Sequence, residues 1–187
     1  MLHYLDIELR TDPEFGAAQL LAALYAKLHR VLVRLDSNSI GVSFPRHDGS
    51  AHRLGDCLRL IGPASDLARL MALDWLSGMR DHVNLGVVAP VPMTTAHRTL
   101  RRVQAKSSVE RLRRRQIKRH GLTETQAHER VPDSAEQRLD LPFIPLTSSS
   151  TGQTFRLFLR LSAPTTAATM GIFNGYGLST SATIPWF

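Results

Sequence analysis

The sequence predicts an α+β protein whose first half interleaves two helices with four strands. Apolar side chains alternate over residues 2–9, which is the two-residue period of a half-buried strand. Leucines at helical spacing follow over residues 17–32, and short apolar runs return at 40–44 and 57–61. The order of strand, helix, strand, strand, helix and strand predicts a ferredoxin-like βαββαβ domain over residues 1–94.

The individual elements of this half have local start signals. Asp12 followed by Pro13 predicts the start of the first helix, because proline is favoured at the first helical position. Ser65 is expected to cap the second helix through its hydroxyl. Residues 83–88 are predicted to form the fourth strand.

A domain boundary is predicted where residues 89–97 carry two prolines and no clear period. The second domain, residues 95–187, is expected to be α+β and to carry an arginine-rich helix. Its predicted elements are a strand at 100–105, the arginine-rich helix at 107–121, a short helix capped by Thr123 and Gln126, strands at 141–146 and 154–161, and a hairpin at 171–187. Ser107 and Glu110 have capping-box spacing, and Gly121 lies where a helix C-cap is expected.

The positive charge of the chain is concentrated in one segment. Residues 98–119 contain ten Lys/Arg and one acid, a net charge of +9, whereas the whole chain carries +7. The remaining residues therefore hold 13 Lys/Arg and 15 Asp/Glu. A basic patch on a near-neutral body is typical of a surface that contacts nucleic-acid phosphates.

Helix geometry places five of these cations on one face. With 3.6 residues per turn, a single face carries Arg111, Arg114, Arg115, Lys118 and Arg119. Like charges three or four residues apart repel, so the face favours an anionic partner over a merely solvated surface. Val109, Leu112 and Ile117 alone remain to dock this helix.

The bulk composition excludes several classes of protein. The single cysteine, Cys57, rules out an intramolecular disulfide and is expected to be a buried core thiol. No apolar stretch is long enough to span a bilayer and no secretory signal is evident, so we expect a cytoplasmic protein without a membrane partner. The eight histidines show no metal-ligand spacing, and no phosphate-binding glycine motif is present, so no metal and no cofactor are expected.

The residues that could carry chemistry are few. They are His29 near the end of the first helix, a serine-rich loop containing Ser148 and Ser150, and Tyr176 between two glycines. A histidine titrates near neutral pH and can take a proton from a ribose 2′-hydroxyl. From spacing alone, the more common interpretations are a structural histidine, an ordinary turn and an aromatic anchor.

Several longer strings are more distinctive. In order, the chain contains H-Y-L-D-I, A-K-L-H, I-G-V-S-F-P, R-R-V-Q-A-K-S, E-R-L-R-R-R, L-P-F, S-T-G-Q-T-F-R-L-F, Y-G-L-S and P-W-F. Together they resemble the CRISPR repeat-processing endoribonucleases of the subtype I-F system, from Met1 to Phe187.

The resemblance implies a metal-independent endoribonuclease that binds the hairpin of CRISPR repeat RNA. Such an enzyme cuts the precursor at the 3′ base of the stem, leaving a 2′,3′-cyclic phosphate and a 5′-hydroxyl. The arginine-rich helix would lie in the major groove of the hairpin. Other subunits of a type I-F surveillance complex are further expected partners.

The resemblance also assigns roles to residues. It implies that His29 transfers the proton, that Ser148 holds the attacking ribose hydroxyl and that Tyr176 orients the histidine. The implied RNA contacts are Arg102 and Gln104 at base edges, Phe155 stacked under the terminal base pair, Ser150 and Thr151 beside the cleaved strand, and Arg111, Arg114, Arg115, Lys118 and Arg119 on the helix. Lys118 stands where the family pattern leads us to expect arginine, which keeps the charge and loses bidentate geometry.

Two other functions fit parts of this pattern. A non-catalytic subunit that holds the same RNA hairpin would share the basic helix and lack the chemistry. A DNA-binding regulator is disfavoured, because the first domain shows no helix-turn-helix pair with a short glycine turn.

Overall fold

The computed structural model describes residues 1–93, 96–104, 109–132, 139–148 and 151–187. The strands are β1 (Leu2–Leu9), β2 (Gly41–Ser43), β3 (Cys57–Pro63), β4 (Val83–Leu85), β5 (Ala89–Pro90), β6 (Ala96–Arg98), β7 (Leu100–Val103), β8 (Phe143–Thr147), β9 (Thr154–Leu161) and β10 (Ile184–Trp186). The helices are α1 (Ala17–Arg34), α2 (Ala64–Met71), α3 (Val109–His120) and α4 (Glu124–Arg130). This mixture confirms the α+β class.

The chain divides into two compact units. Residues 1–102 and 141–187 form the larger unit, and residues 103–140 form the smaller one. The C-terminal strands therefore belong to the same compact unit as the N-terminal half of the chain. The predicted domain boundary between residues 94 and 95 concerns folding units and stays a prediction.

The larger unit is built on an antiparallel sheet with strand order β2-β3-β1-β4. In the register of β1 and β3, Leu5 pairs with Leu60 and Ile7 with Leu58, so these four side chains share one face. All four are buried, together with the apolar sides of α1 and α2. The two helices therefore pack on a single face of the sheet.

The fourth strand is shorter than predicted. Strand β4 ends at Leu85, which pairs with Ile7, and pairing with β1 resumes where Ala89 meets Tyr4. Three residues of one strand thus face two of the other, which is the mismatch of a bulge. The prediction of one continuous strand over 83–88 was wrong because alternation does not reveal an extra residue.

Both predicted helix starts need correction. Helix α1 begins at Ala17, because the Asp12 carboxylate accepts the N–H groups of Glu14 and Phe15 and holds them in a turn. Helix α2 begins at Ala64 with Pro63 as its N-cap and no side-chain cap hydrogen bond. The Ser65 hydroxyl therefore does not cap it.

The C-terminal segment does not form the predicted hairpin. Strand β10 pairs with β6, where Ile184 faces Arg98, and a separate three-stranded sheet has the order β7-β9-β8. The partner of β10 lies almost ninety residues away in sequence, which no local pattern shows. The predictions of strands at 141–146 and 154–161 are confirmed with small shifts of their ends.

Two further predictions can be compared with the larger unit. Cys57 is buried as expected, and burial, with a smaller contribution from Asp6, raises the pKa of its thiol to about 12. Across the described ranges, none of the helices has the length and hydropathy that a bilayer crossing requires.

The smaller unit contains α3 and α4. Val109, Ala127 and Val131 are its buried apolar side chains among the described residues, and the Arg113 Nε donates to the Val131 carbonyl oxygen at 2.8 Å. Thr123 and Gln126 form the predicted capping box at the start of α4. Gly121 has a φ of +64° just after α3, which confirms its C-cap position, whereas the Ser107 capping box lies outside the described residues.

Candidate active site and RNA-binding surface

The imidazole of His29, in the second half of α1, is held from two directions. Its ring stacks on that of Tyr176, with centroids 3.8 Å apart and planes 3° from parallel. Its Nδ1 lies 2.8 Å from the carbonyl oxygen of Gly175. Because a carbonyl oxygen only accepts, Nδ1 carries the proton and Nε2 of the neutral ring keeps its lone pair. The site therefore contains a nitrogen that can act as a general base.

The turn that carries Tyr176 is fixed by its own hydrogen bonds. The Asn174 Oδ1 accepts the backbone N–H groups of Tyr176 at 2.9 Å and Leu178 at 3.2 Å. Gly177 has a φ of +68°, and a Cβ there would lie 2.6 Å from the Cγ1 of Val42. Glycine is thus required at this position, and the turn holds the Tyr176 ring against the imidazole.

Gly175 allows the same turn to approach α1 closely. A Cβ on Gly175 would lie 2.8 Å from the Cγ2 of Val33, which is nearer than non-bonded carbon atoms normally come. Without a side chain at this position, the Gly175 carbonyl oxygen can reach the His29 Nδ1. The two glycines on either side of Tyr176 therefore serve different purposes.

A hydrogen bond from the buried Tyr25 connects the turn to the core. Tyr25 lies one helical turn before His29, is 1% exposed, and donates its hydroxyl to the Tyr176 carbonyl oxygen at 2.7 Å. Burial, helped by the neighbouring Tyr176, raises the pKa of Tyr25 well above its usual value, so the hydroxyl remains a donor. Tyr25 is thus a positioning residue for the histidine and its stacking partner.

Ser148 is placed in the turn between β8 and β9. Its backbone N–H donates to the Gln153 carbonyl oxygen, and its carbonyl oxygen accepts from Gly152, both at 2.9 Å. Its Oγ accepts the Thr151 N–H at 3.3 Å. Thr151 is exposed, whereas Ser150 lies outside the described residues. The backbone of Ser148 is therefore set by the hairpin, and its catalytic role stays a prediction.

Arg102 and Phe155 are brought together on the three-stranded sheet. The Arg102 Cζ lies 5.5 Å from the Phe155 ring centroid, within the range of a cation–π contact. The Arg102 Nε is buried and has no hydrogen-bond partner in the part of the chain that the structure describes. Gln104 is exposed just after β7 and belongs to the smaller unit. The roles of all three toward RNA remain predictions.

Helix α3 presents its cations to solvent. All five members of the predicted face are exposed, namely Arg111, Arg114, Arg115, Lys118 and Arg119. Only Val109 is buried on α3, and Leu112 and Ile117 are half-buried. The helix therefore combines a thin docking stripe with a dense positive face, as the spacing predicted.

His82 makes a structural contact away from the His29 site. Among the described residues, no three His, Cys, Asp or Glu side chains gather in a way that would hold a metal ion. The His82 Nδ1 lies 2.8 Å from an oxygen of Asp12, which joins the loop before α1 to the turn before β4. The backbone N–H groups of Glu14 and Phe15, and then His82, hold the pKa of Asp12 below its usual value.

Comparison with known proteins places this chain in a family. The model of a family described as "CRISPR-associated protein (Cas_Csy4)" matches residues 4–187. The chain belongs to this family. It is 52% identical over 187 residues to a relative from Pseudomonas aeruginosa (strain UCBPP-PA14), covering 100% of both chains. A relative from Escherichia coli (strain UTI89 / UPEC) is 46% identical over 187 residues, again with 100% coverage of both.

Both relatives in the Cas_Csy4 family are named "CRISPR-associated endonuclease Cas6/Csy4". The resemblance noted in the sequence is thereby confirmed. A solved structure titled "An RAMP protein binding different RNA substrates" gives a TM-score of 0.34 at 11% identity, covering 98% of this chain and 99% of that one. A likeness at that level has no bearing on the fold or function.

Two contacts of His29 and Tyr176 are not predicted from the sequence. The Gly175 carbonyl oxygen and the Tyr25 hydroxyl both contact the His29–Tyr176 pair. A faint signal was present for Tyr25, since it precedes His29 by four residues and so lies one turn earlier on the helix. A backbone carbonyl leaves no signal in the side-chain pattern.

Proposed function

We propose that the protein is a metal-independent endoribonuclease that binds the hairpin of CRISPR repeat RNA and cuts the precursor at the 3′ base of the stem. Its product would be mature guide RNA. Family membership over residues 4–187 and two full-length relatives named endonucleases support this function. The observation that carries the chemistry is the imidazole of His29, bound through Nδ1 to Gly175 and stacked on Tyr176.

The proposed reaction uses the RNA's own ribose as nucleophile. The His29 Nε2 accepts the proton of the 2′-hydroxyl just upstream of the cut, and the 2′-oxygen attacks the scissile phosphorus. The bond from phosphorus to the 5′-oxygen of the next nucleotide breaks, and that oxygen takes up a proton. The products are a 2′,3′-cyclic phosphate and a 5′-hydroxyl. Ser148 holds the attacking ribose hydroxyl in this scheme, and Tyr176 orients the imidazole.

The exposed face of α3 is the surface proposed to bind the hairpin. Its five cations would neutralise phosphates along the stem, while Arg102 and Gln104 read guanine and adenine edges. Phe155 would stack under the terminal base pair, a contact worth about 1–3 kcal/mol. Ser150 and Thr151 would lie beside the cleaved strand. Because the A-form major groove is deep and narrow, a helix reader requires a short stem that is open at its ends.

The fold supports separate roles for the two predicted domains. The strand order β2-β3-β1-β4 with both helices on one face supports a ferredoxin-like arrangement for residues 1–94, which would act as the scaffold of His29. Residues 95–187 would form the RNA-binding domain. We also propose a cytoplasmic location, where repeat transcripts arise, and assembly with other subunits of a type I-F surveillance complex.

The decisive experiment incubates the purified protein with the repeat RNA of its own CRISPR locus in excess EDTA. We expect cleavage at the 3′ base of the stem and a fragment that ends in a 2′,3′-cyclic phosphate. Cleavage only after addition of Mg²⁺ would contradict metal independence. Tight binding without cleavage under any condition would favour the non-catalytic RNA-binding subunit, which the names of the relatives do not favour.

A further inference from the structure

The turn that carries Tyr176 is anchored to the edge of the antiparallel sheet at both of its ends. At one end, the Phe173 N–H donates to the Asn38 carbonyl oxygen at 2.9 Å. At the other end, the Val42 N–H of β2 donates to the Gly177 carbonyl oxygen at 3.0 Å. Strand β2 lies at the edge of its sheet, so its outer side is open to such a partner. The turn is therefore held between two backbone anchors.

The Phe173 side chain reinforces the first of these anchors. Its ring is half-buried and packs against the hydrophobic core. A Cβ built on Gly41 would lie 2.8 Å from both the Cε1 and the Cζ of this ring, and 3.0 Å from the Cγ2 of Ile184. Because Gly41 has no side chain, the end of the ring can lie directly against the backbone of β2.

Phe173 is the core contact on the N-terminal side of the turn. Every residue from 163 to 172 is exposed, and so is Asn174. The residues after Gly175 have anchors of their own, which are the Tyr25 hydroxyl and the Val42 N–H. Before Gly175, the first side chain that packs on the core is that of Phe173.

The backbone connects Phe173 to the imidazole over a short distance. Asn174 follows Phe173 directly, and its carbonyl oxygen accepts the Gly177 N–H at 2.7 Å, which closes the turn. The next residue, Gly175, supplies the carbonyl oxygen that lies 2.8 Å from the His29 Nδ1. A displacement of Phe173 would therefore move this oxygen relative to the imidazole.

We propose that Phe173 is a positioning residue for the cleavage reaction: by packing on Gly41 at the sheet edge, it holds the Gly175 carbonyl oxygen against His29. This inference rests on the proposed function, because it concerns the histidine that takes the ribose proton. Phe173 acts through the turn and not on the RNA, so it controls the rate and not the affinity. It also controls the His29 tautomer, since the Gly175 carbonyl oxygen keeps the proton on Nδ1.

The first measurement needs no RNA. The tautomer of His29 is read from the ¹⁵N NMR signals of its ring at about pH 8.5, where histidines are ordinarily neutral. We expect wild type to hold the Nδ1–H tautomer and Phe173→Ala to show a mixture of both tautomers. Ile172→Ala is the matched control, because Ile172 is the 70% exposed neighbour of Phe173, and it should match wild type. A folded Phe173→Ala protein that keeps the Nδ1–H tautomer would overturn the inference, whether or not the protein cuts RNA.

The second measurement compares single-turnover cleavage with equilibrium binding of the repeat hairpin. We expect Phe173→Ala to cleave about ten- to 100-fold more slowly than wild type, with a Kd within about twofold, because a small displacement at a catalytic group has a cost of that size. Phe173→Leu restores apolar volume, so its rate should lie between the two. The wild-type rate in Phe173→Ala, a loss of rate matched by a loss of affinity, or a Phe173→Leu protein as slow as Phe173→Ala would each contradict the proposed role.

Gly41→Ala tests the same contact from the other side, and it replaces Phe173→Ala if that variant does not fold. Its methyl group would occupy the place of the ring end, so we expect a mixture of tautomers and slower cleavage at unchanged Kd, with thermal unfolding to check the fold. A folded Gly41→Ala protein with the wild-type rate and tautomer would exclude the contact as the cause. A wild-type protein that binds the hairpin without cutting it would instead contradict the proposed function, and the tautomer measurement would still decide the role of Phe173.

Discussion

The surroundings of His29 are held by buried contacts, whereas the face of α3 is exposed and charged. His29 is fixed by a stacked ring, a backbone carbonyl and a turn tied to the 1% exposed Tyr25. Helix α3 buries only Val109 among its own residues and leaves five cations in solvent. Acid–base chemistry needs an exact geometry, which buried contacts supply. Charge attraction acts over several ångströms and needs only the right spacing of cations.

This contrast separates two kinds of variant. Changes around His29 should lower the cleavage rate at saturating RNA and leave affinity intact. Changes on the face of α3 should lower affinity and leave the saturated rate intact. Four changes to the RNA or the protein test whether rate and affinity separate in this way.

Removing the nucleophile should abolish the reaction. A 2′-deoxy sugar just upstream of the cut takes away the oxygen that attacks phosphorus in the proposed mechanism. We expect no cleavage and nearly unchanged affinity, measured by gel assay and equilibrium binding. Continued cutting of this RNA would contradict the cyclic-phosphate route.

Moving the turn away from α1 should slow the chemistry. In Gly175→Ala, the new methyl group would meet the Cγ2 of Val33, since a Cβ there lies only 2.8 Å from it. A displacement of about 1 Å at a catalytic group can reduce a rate about 100-fold. We expect a loss of that size in single-turnover cleavage, with Kd unchanged.

A second substitution provides the control for Gly175→Ala. Val33→Ala removes the methyl group that the new Cβ would meet, and Val33 is itself 57% exposed. We expect Val33→Ala alone to be close to wild type and to restore much of the rate in the double variant. If Gly175→Ala stays slow in that background, the Val33 contact does not explain its effect.

Removing one cation from α3 should weaken binding of the RNA hairpin. Arg115→Ala is expected to raise the Kd for the hairpin about tenfold and to reduce its salt slope by about 0.9. The cleavage rate at saturating RNA should remain that of wild type. Arg130→Ala, at an exposed arginine of α4, is the matched control. An unchanged Kd for Arg115→Ala would mean that the cationic face does not bind RNA.

Loss of the Tyr25 hydroxyl should lower the cleavage rate less than displacement of the Gly175 turn does. Tyr25→Phe leaves the Tyr176 carbonyl oxygen without its donor, which should cost about 1–3 kcal/mol of unfolding free energy. We expect a few-fold lower cleavage rate at unchanged Kd. Tyr4→Phe is the control, because the Tyr4 hydroxyl has no hydrogen bond among the described residues. Equal rates for both variants would remove Tyr25 from the positioning residues.

The sequence predicted best those features that depend on local spacing. The exposed cationic face of α3, the Thr123 capping box and the Gly121 C-cap all follow from intervals of one to four residues, and all are present. Strand alternation likewise located β1 and β9. A periodic pattern is enough wherever one turn or one strand decides the conformation.

The features that sequence reasoning missed depend on distant partners or on backbone atoms. Strand β10 pairs with β6 rather than folding into a hairpin, and β4 breaks at a bulge set by its register with β1. The anchor of His29 is the Gly175 carbonyl oxygen, 146 residues away in sequence. Helix α1 starts later than predicted because the Asp12 carboxylate accepts hydrogen bonds from Glu14 and Phe15 and holds them in a turn. None of these competing hydrogen bonds is visible in hydrophobic periodicity.

His29 supplies chemistry and not affinity in the proposed mechanism, and its replacement by alanine separates the two. His29→Ala should be measured for both single-turnover cleavage and equilibrium binding of the repeat hairpin, with thermal unfolding to confirm that it folds. We predict a rate about 10²- to 10⁴-fold below wild type and a Kd within about twofold of it. Cleavage at the wild-type rate, or a loss of cleavage fully explained by lost binding, would contradict the claim.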